Sequence, residues 1–222
     1  MAFPTVETSP VWQSYIDLAN DAKPYLQIPS TDTTRDAVLQ DVIDAACWWA
    51  QDTLGRPIPP TTFQRRFSGF SGFGGSHLAL PYYPVIVDAN HPISVTEYWG
   101  ASGPHTLTLQ TPATQGGSDM FQLDALRGVL TRSYLGLLQR PFFPGLRNVE
   151  VTWTAGYNPI PRHWIMATKE LVKYWWENTQ TASRTFQPHN EYDNAADRYA
   201  LWPAVPDRIA LMFATAAQVG IG

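Results

Sequence analysis

The sequence predicts an α+β fold: a helical bundle core, made of N- and C-terminal helices packed together, with an inserted antiparallel β-lobe. Three observations carry that reading. Residues 32–54 keep apolar side chains at the 3.6-residue period of a helix. From Thr61 the period falls to two and persists in short runs, broken by Pro and Gly, as far as Tyr157. Helical spacing then returns at Pro161. The expected boundaries are 1–56 for the N-terminal helical part, 57–160 for the β-rich lobe and 161–222 for the C-terminal helical part.

The first regular stretch is Val11 to Ala22, where Trp12, Tyr15, Ile16 and Ala19 are spaced for one helix face, with Pro24 blocking continuation. In the second, Val38, Leu39, Val42, Ile43, Ala46, Trp49 and Ala50 form the stripe, and Asp36, Gln40, Asp41 and Asp44 fall mostly on the other side. Thr31 or Asp32 is the expected cap, and Gly55 followed by Pro57 is the stop. Cys47 lies inside this helix as a small hydrophobe.

Phe63, Arg65 and Phe67 then alternate with Thr62, Gln64 and Arg66, and the Gly-rich run 68–76 reads as a flexible loop. Short strands are expected at 78–80, 85–87, 94–98, 106–109, 121–124 and 129–131, with a turn at Arg127-Gly128. The clearest strand is 148–157, with Val149, Val151 and Trp153 on one face and Glu150, Thr152 and Thr154 on the other. From Pro161, tolerated at an early helical position, Ile165, Thr168, Leu171, Val172 and Trp175 form a second stripe ending near 178. Residues 179–198 read as a long polar loop, and a last helix is expected at 206–217. The two long helices are expected to pack on each other, with Val42, Ile43, Trp49, Leu171 and Trp175 in the core.

Composition narrows the function. The 222 residues carry 44% apolar and only 15% charged side chains, with 9 Trp, 10 Tyr and 10 Phe, enough for a core and for contacts with other chains. Net charge is −4, which argues against tight gripping of nucleic-acid phosphates. One cysteine permits no internal disulfide, and MAFPTVETSP has neither the basic start nor the apolar run of a signal peptide, so synthesis in a reducing cytoplasm is expected. No apolar run is long enough for a membrane span.

No catalytic residue, cofactor or metal is expected. A phosphate-binding GxxxxGK[ST], a GxSxG elbow and an HExxH are all missing. The histidines at 77, 91, 105, 163 and 189 have no ligand spacing. Cys47 lacks the exposed, electropositive surroundings of a nucleophile. Glu97, Asp119, Asp124 and Glu150 could converge in the β-lobe, which keeps a carbohydrate-binding or hydrolytic module open as an alternative.

Three ordered segments carry a resemblance. They are PYLQIPSTDTTRDAVLQDVIDAACWWAQDTLGRPI at 24–58, LALPYYPVIVDANHPISVTEYWG at 78–100 with FQLDALRGVL at 121–130, and NVEVTWTAGYNPIPRHWIMATKELVKYWWEN at 148–178. In this order they resemble the head-tail connector (adaptor) family of long-tailed bacteriophages and gene-transfer agents. Leu201-Trp202-Pro203-Ala204-Val205-Pro206 before a helix is similar to that family too. The segments at 102–120 and 179–198 depart from it. The resemblance implies a virion protein: a homo-oligomeric ring, commonly of twelve subunits, docked on the portal protein and continuing the DNA channel toward a stopper or tail-completion protein. DNA would pass without sequence-specific binding, and a dense ring of unpaired cations built on Arg65 and Arg66 would contradict that. Another neck ring, a stopper or tail terminator, is the alternative within the same class. Trp202, Pro203 and Phe213 are the candidate portal or inter-subunit contacts, unless the last helix completes the subunit's own core.

Overall fold

The computed structural model describes residues 12–69, 75–112, 117, 119–134, 138–184 and 205–219, with backbone alone at 101, 179–184 and 214–219. Two compact units form. Among the described residues, one is the continuous stretch Arg56–Pro159 and the other joins Trp12–Gly55 to residues from Ile160 onward. The class is α+β.

The discontinuous unit is helical. A π-helical turn, Leu18–Ala22, runs into the short helix α1, Lys23–Tyr25. The helix expected at 11–22 is therefore largely absent: Trp12 to Asp17 is not helical, and Asp17 caps the turn by accepting from the Asn20 N–H. Pro24 sits in the first positions of α1, where its missing N–H costs nothing, so it starts a helix instead of ending one. Helix α2 is Asp36–Leu54. It begins several residues after Thr31 and Asp32, because the Asp32 carboxylate is used locally to accept from the Thr34 N–H at 3.0 Å. Lys23, buried, closes this end by reaching the Asp32 carbonyl at 2.8 Å and the Asp36 carboxylate at 2.7 Å. Gly55, at φ 63°, ends α2 as the left-handed residue that the stop signal requires.

Helix α3 is Arg162–Arg184. It continues into the stretch expected to be loop from 179, since polar residues without Pro or Gly do not by themselves break a helix. Helix α4 is Asp207–Val219. The three helices contact one another within this unit. Leu39, Val42, Ile43, Ala46, Cys47 and Ala50 of α2 are buried, as are Trp164, Ala167, Leu171, Val172 and Trp175 of α3 and Ile209 and Phe213 of α4. Trp49 is half-buried and meets Phe213 edge-on, ring centroids 5.5 Å apart.

The continuous unit is built on strands β1 (Thr61–Phe67), β2 (His77–Ala79), β3 (Val85–Ile86), β4 (Ser94–Tyr98), β5 (Pro104–Leu109), β6 (Met120–Asp124), β7 (Val129–Tyr134), β8 (Leu138–Gln139) and β9 (Val149–Ala155). The sheet order is β1-β9-β4-β5-β6-β7-β2, with β3 also on β9 and β8 on β7. The expectation of an antiparallel lobe needs correcting. β5 and β6 pair in parallel, Thr108 opposite Met120, so the sheet is mixed. A two-residue hairpin joins only antiparallel neighbours, and here residues 110–119 separate the two strands in sequence.

β9 sits between β1 and β4, so the alternation that marks it in sequence also lays out the core. Val149, Val151 and Trp153 are buried, and Trp153 lies directly across from Phe63 with ring centroids 5.6 Å apart. Its indole N–H donates to the Tyr82 carbonyl at 3.1 Å, which lets a large polar-tipped ring be buried without loss. The strand stops at Ala155, two residues early, where Gly156 turns at φ 132°.

Candidate functional site

The most unusual chemistry of the β unit is a buried ion cluster. Arg132, on β7, places its Nε 2.8 Å from Glu97 Oε1 of β4, with both side chains enclosed, and its Nη2 3.0 Å from the more exposed Asp119. Glu97 is also held by the Trp99 indole N–H at 3.0 Å and the Phe143 backbone N–H at 3.1 Å. A buried carboxylate is tolerable only with such a set of donors. The sequence reading singled out Glu97 and Asp119 but missed Arg132, whose partners lie 35 and 13 residues away and leave no local spacing signal.

The cluster does not make an acid–base pair. Glu97 and Asp119 share one guanidinium, Glu150 accepts from Arg66 Nε at 2.8 Å and Gln64 at 2.9 Å, and Asp124 caps the Arg127 turn at 3.1 Å. The four carboxylates are thus consumed in three separate structural arrangements. A cleft of about 120 Å³ beside the cluster is lined by Trp99, Arg132, Arg140, Phe142 and Phe143 among others.

That cleft belongs to the loop at 140–148, which follows β8 and is held from several sides. The Phe142 N–H donates to the Gly75 carbonyl at 2.7 Å, Asn148 Nδ2 to the Phe143 carbonyl at 2.6 Å, and the Arg147 N–H to Ser68 Oγ at 3.1 Å. Gly69 packs so close that a Cβ there would lie 1.9 Å from the Phe143 carbonyl oxygen. On this fixed backbone Phe143 and Leu146 are exposed, Leu146 by 84%, as is Leu138 of β8 beside it.

The remaining candidates resolve one by one. His77 bonds Thr131, His91 pairs with Asp88, His105 stacks on Trp99 and His163 lies edge-on to Trp164, while His189 falls outside the described residues. Among the described residues no group of three or more His, Cys, Asp or Glu is arranged to hold a metal. Cys47 is fully buried, and that burial, aided by the charge of Asp44, pushes its thiol up to about 11. Arg66 is engaged with Glu150 and lies 4.8 Å over the Tyr98 ring, and Arg65 lies 5.7 Å over Phe67. Val42, Ile43, Leu171 and Trp175 are buried within their own unit. Trp202 and Pro203 lie outside the described residues. Phe213, the third candidate contact, is 0% exposed in its own unit, where its ring meets Trp49.

No family model matches the chain, and no curated protein matches it. Solved structures do. One is described as "Neck of empty GTA particle computed with C6 symmetry": identity is 17%, 94% of this chain and 92% of that chain are covered, and the TM-score is 0.52. Another is described as "Virion of native gene transfer agent (GTA) particle", with 16% identity, 89% and 88% coverage and a TM-score of 0.51. At these identities the likeness is one of fold.

Proposed function

We propose that the chain is a structural subunit of the neck of a tailed, phage-like particle, and within the neck the head-tail adaptor. In this reading subunits form a ring, of twelve by the family resemblance, under the portal protein. The ring links the capsid to a stopper or tail-completion protein and encloses the passage for DNA, with the packed helices as the bundle core of each subunit. The subunits are made in the host bacterial cytoplasm and come to rest in the virion.

The observation that carries the proposal is the likeness of fold, over 94% of this chain, to a chain from a particle neck. Two physical features support it. The chain is mildly acidic, with a net charge of −4, as suits a conduit that must not hold a sliding polyanion. The carboxylates that a hydrolytic β-module would need are spent on Arg132, Arg66 and the turn at Arg127.

Electron cryomicroscopy of particles containing this chain tests the reading. A ring of this fold in contact with the portal is the expected result. A ring separated from the portal by another protein makes the chain a stopper or terminator. Particles that lack the chain altogether, combined with sugar binding by the purified protein, overturn the neck assignment.

A further inference from the structure

Arg132 has one nitrogen to spare. Its Nε and Nη2 are committed to Glu97 and Asp119, but its buried Nη1 has no hydrogen-bond partner among the described residues. A buried donor left unmet is costly and rare in a native fold, so it points to an acceptor that the described chain does not supply. Arg132 is also the buried cation in the wall of the cleft described above, beside Trp99, Pro141, Phe142, Phe143 and Pro144. Glu97 lines that cleft too, but its oxygens already accept from Arg132, the Trp99 indole and the Phe143 backbone.

The walls are in place before anything enters. The Phe142 N–H is tied to the Gly75 carbonyl, the Phe143 carbonyl to Asn148, and the Trp99 ring is stacked by His105 and by Phe143, with ring centroids at 3.8 and 5.3 Å. A preformed site spares a ligand the ordering cost of its walls. The volume of about 120 Å³ is well beyond the roughly 10–15 Å³ that one water needs, so a small organic group can enter.

Charge decides which acceptor it takes. Arg132 and Arg140 are matched by Glu97 and Asp119, so the site is neutral as a whole. An anion would gain no net attraction and would meet two carboxylates. A neutral oxygen flanked by carbon suits both the open Nη1 and the aromatic and proline walls. We propose that the cleft binds the carbonyl of an amide, its oxygen accepting from Arg132 Nη1 and its carbon flanks lying against Trp99 and Phe143. On a protein partner that group is a backbone peptide or the side chain of Asn or Gln. The site belongs to the β unit alone, so the proposal stands independently of the neck reading.

The test is a titration of the isotope-labelled full-length chain, followed by the indole N–H resonance of Trp99, which donates to Glu97 and so reports on the cleft. The resonance is assigned by its loss in Trp99→Phe. N-methylacetamide stands for a backbone peptide, acetamide for an Asn or Gln side chain, and acetate for an anion of the same size. A saturating shift with one of the amides, with acetate about tenfold weaker or worse, is the expected result. The tighter of the two amides then names the source. Phe143→Ala, which removes an exposed wall, should weaken amide binding severalfold, and Arg140→Gln should leave it unchanged. A shift that grows linearly without saturating, or binding untouched by Phe143→Ala, overturns the proposal and leaves water as the partner of Nη1. Acetate binding as tightly as the amides, or amide binding lost in Arg140→Gln, overturns it in favour of an anion site.

Discussion

Arg132 Nε and Glu97 Oε1 meet at 2.8 Å with side chains only 1% and 0% exposed, so the charge pair lies wholly inside the β unit. Breaking one half leaves the other charge buried alone, which typically costs roughly 3–5 kcal/mol. Arg132→Met should therefore lower stability by about that amount, whereas Arg132→Met with Glu97→Leu should cost less than the two single changes summed. Urea unfolding of the three variants measures this. An Arg132→Met protein within about 1 kcal/mol of the wild type would mean that the pair is dispensable.

Phe213 distinguishes core from contact surface within the helical unit. Its burial against Trp49 predicts that Phe213→Ala destabilises the free subunit by about 3–5 kcal/mol. Thermal unfolding of the isolated chain reads this directly. A variant as stable as the wild type but defective in assembly would instead support Phe213 as an anchor for another chain.

Two glycines with positive φ should respond differently. At Gly55 a Cβ meets nothing within 4 Å, so Gly55→Ala should cost about 1 kcal/mol, the strain of the left-handed conformation alone. At Gly156 the Cβ would lie 2.4 Å from the Pro59 carbonyl oxygen, so backbone must move as well and the loss should be clearly larger. Equal chemical-denaturation midpoints for the two alanine variants would refute the distinction.

Cys47 should be silent. With the thiol raised to about 11 and no exposed surface, a disulfide-exchange reagent at pH 8 should leave the folded protein unlabelled and react fully after unfolding in guanidinium. Rapid labelling of the native chain is the contrary outcome.

Asp21 gives a pH dependence. Burial works to raise its carboxyl, but the hydrogen bond and charge of Lys169, with the Asp17 backbone, hold it below its ordinary 3.8. A carboxyl depressed in the folded state stabilises fully above its unfolded value and loses that contribution as pH falls through the folded one. The bridge, at 2.6 Å and partly exposed, should be worth about 1 kcal/mol or less. Asp21→Asn should lose stability at pH 7 and match the wild type near pH 2. A difference that persists unchanged at pH 2 would assign the effect to packing.

What could be read from the sequence follows how local each signal was. The alternation of Val149, Val151 and Trp153 and the stop at Gly55 are properties of neighbouring residues, and they appear in place. The Arg132 cluster depends on residues that only the sheet order brings together, so nothing around Arg132 announces it. Two-residue β8 is shorter than any periodicity can register. Pro24 misled because the same ring that ends a helix from inside it starts one from its first turn. The fixed loop at 140–148 leaves no signal in the sequence because its order comes from Gly69, Gly75 and Ser68, more than sixty residues earlier in the chain.

The discontinuity of the helical unit has a consequence for how the chain is born. Helix α2 leaves the ribosome before α3 has been made, because Arg56–Pro159 must be translated in between, an interval of roughly 5–20 s at bacterial rates. Through that interval Leu39, Val42, Ile43 and Ala46 have no α3 to cover them. The β unit, continuous in sequence among the described residues, can pair its strands while the nascent chain is still tethered. Translation thus delivers a finished sheet beside an unfinished helix, and a holdase bound to α2 during elongation would guard the one apolar stripe that synthesis itself leaves waiting.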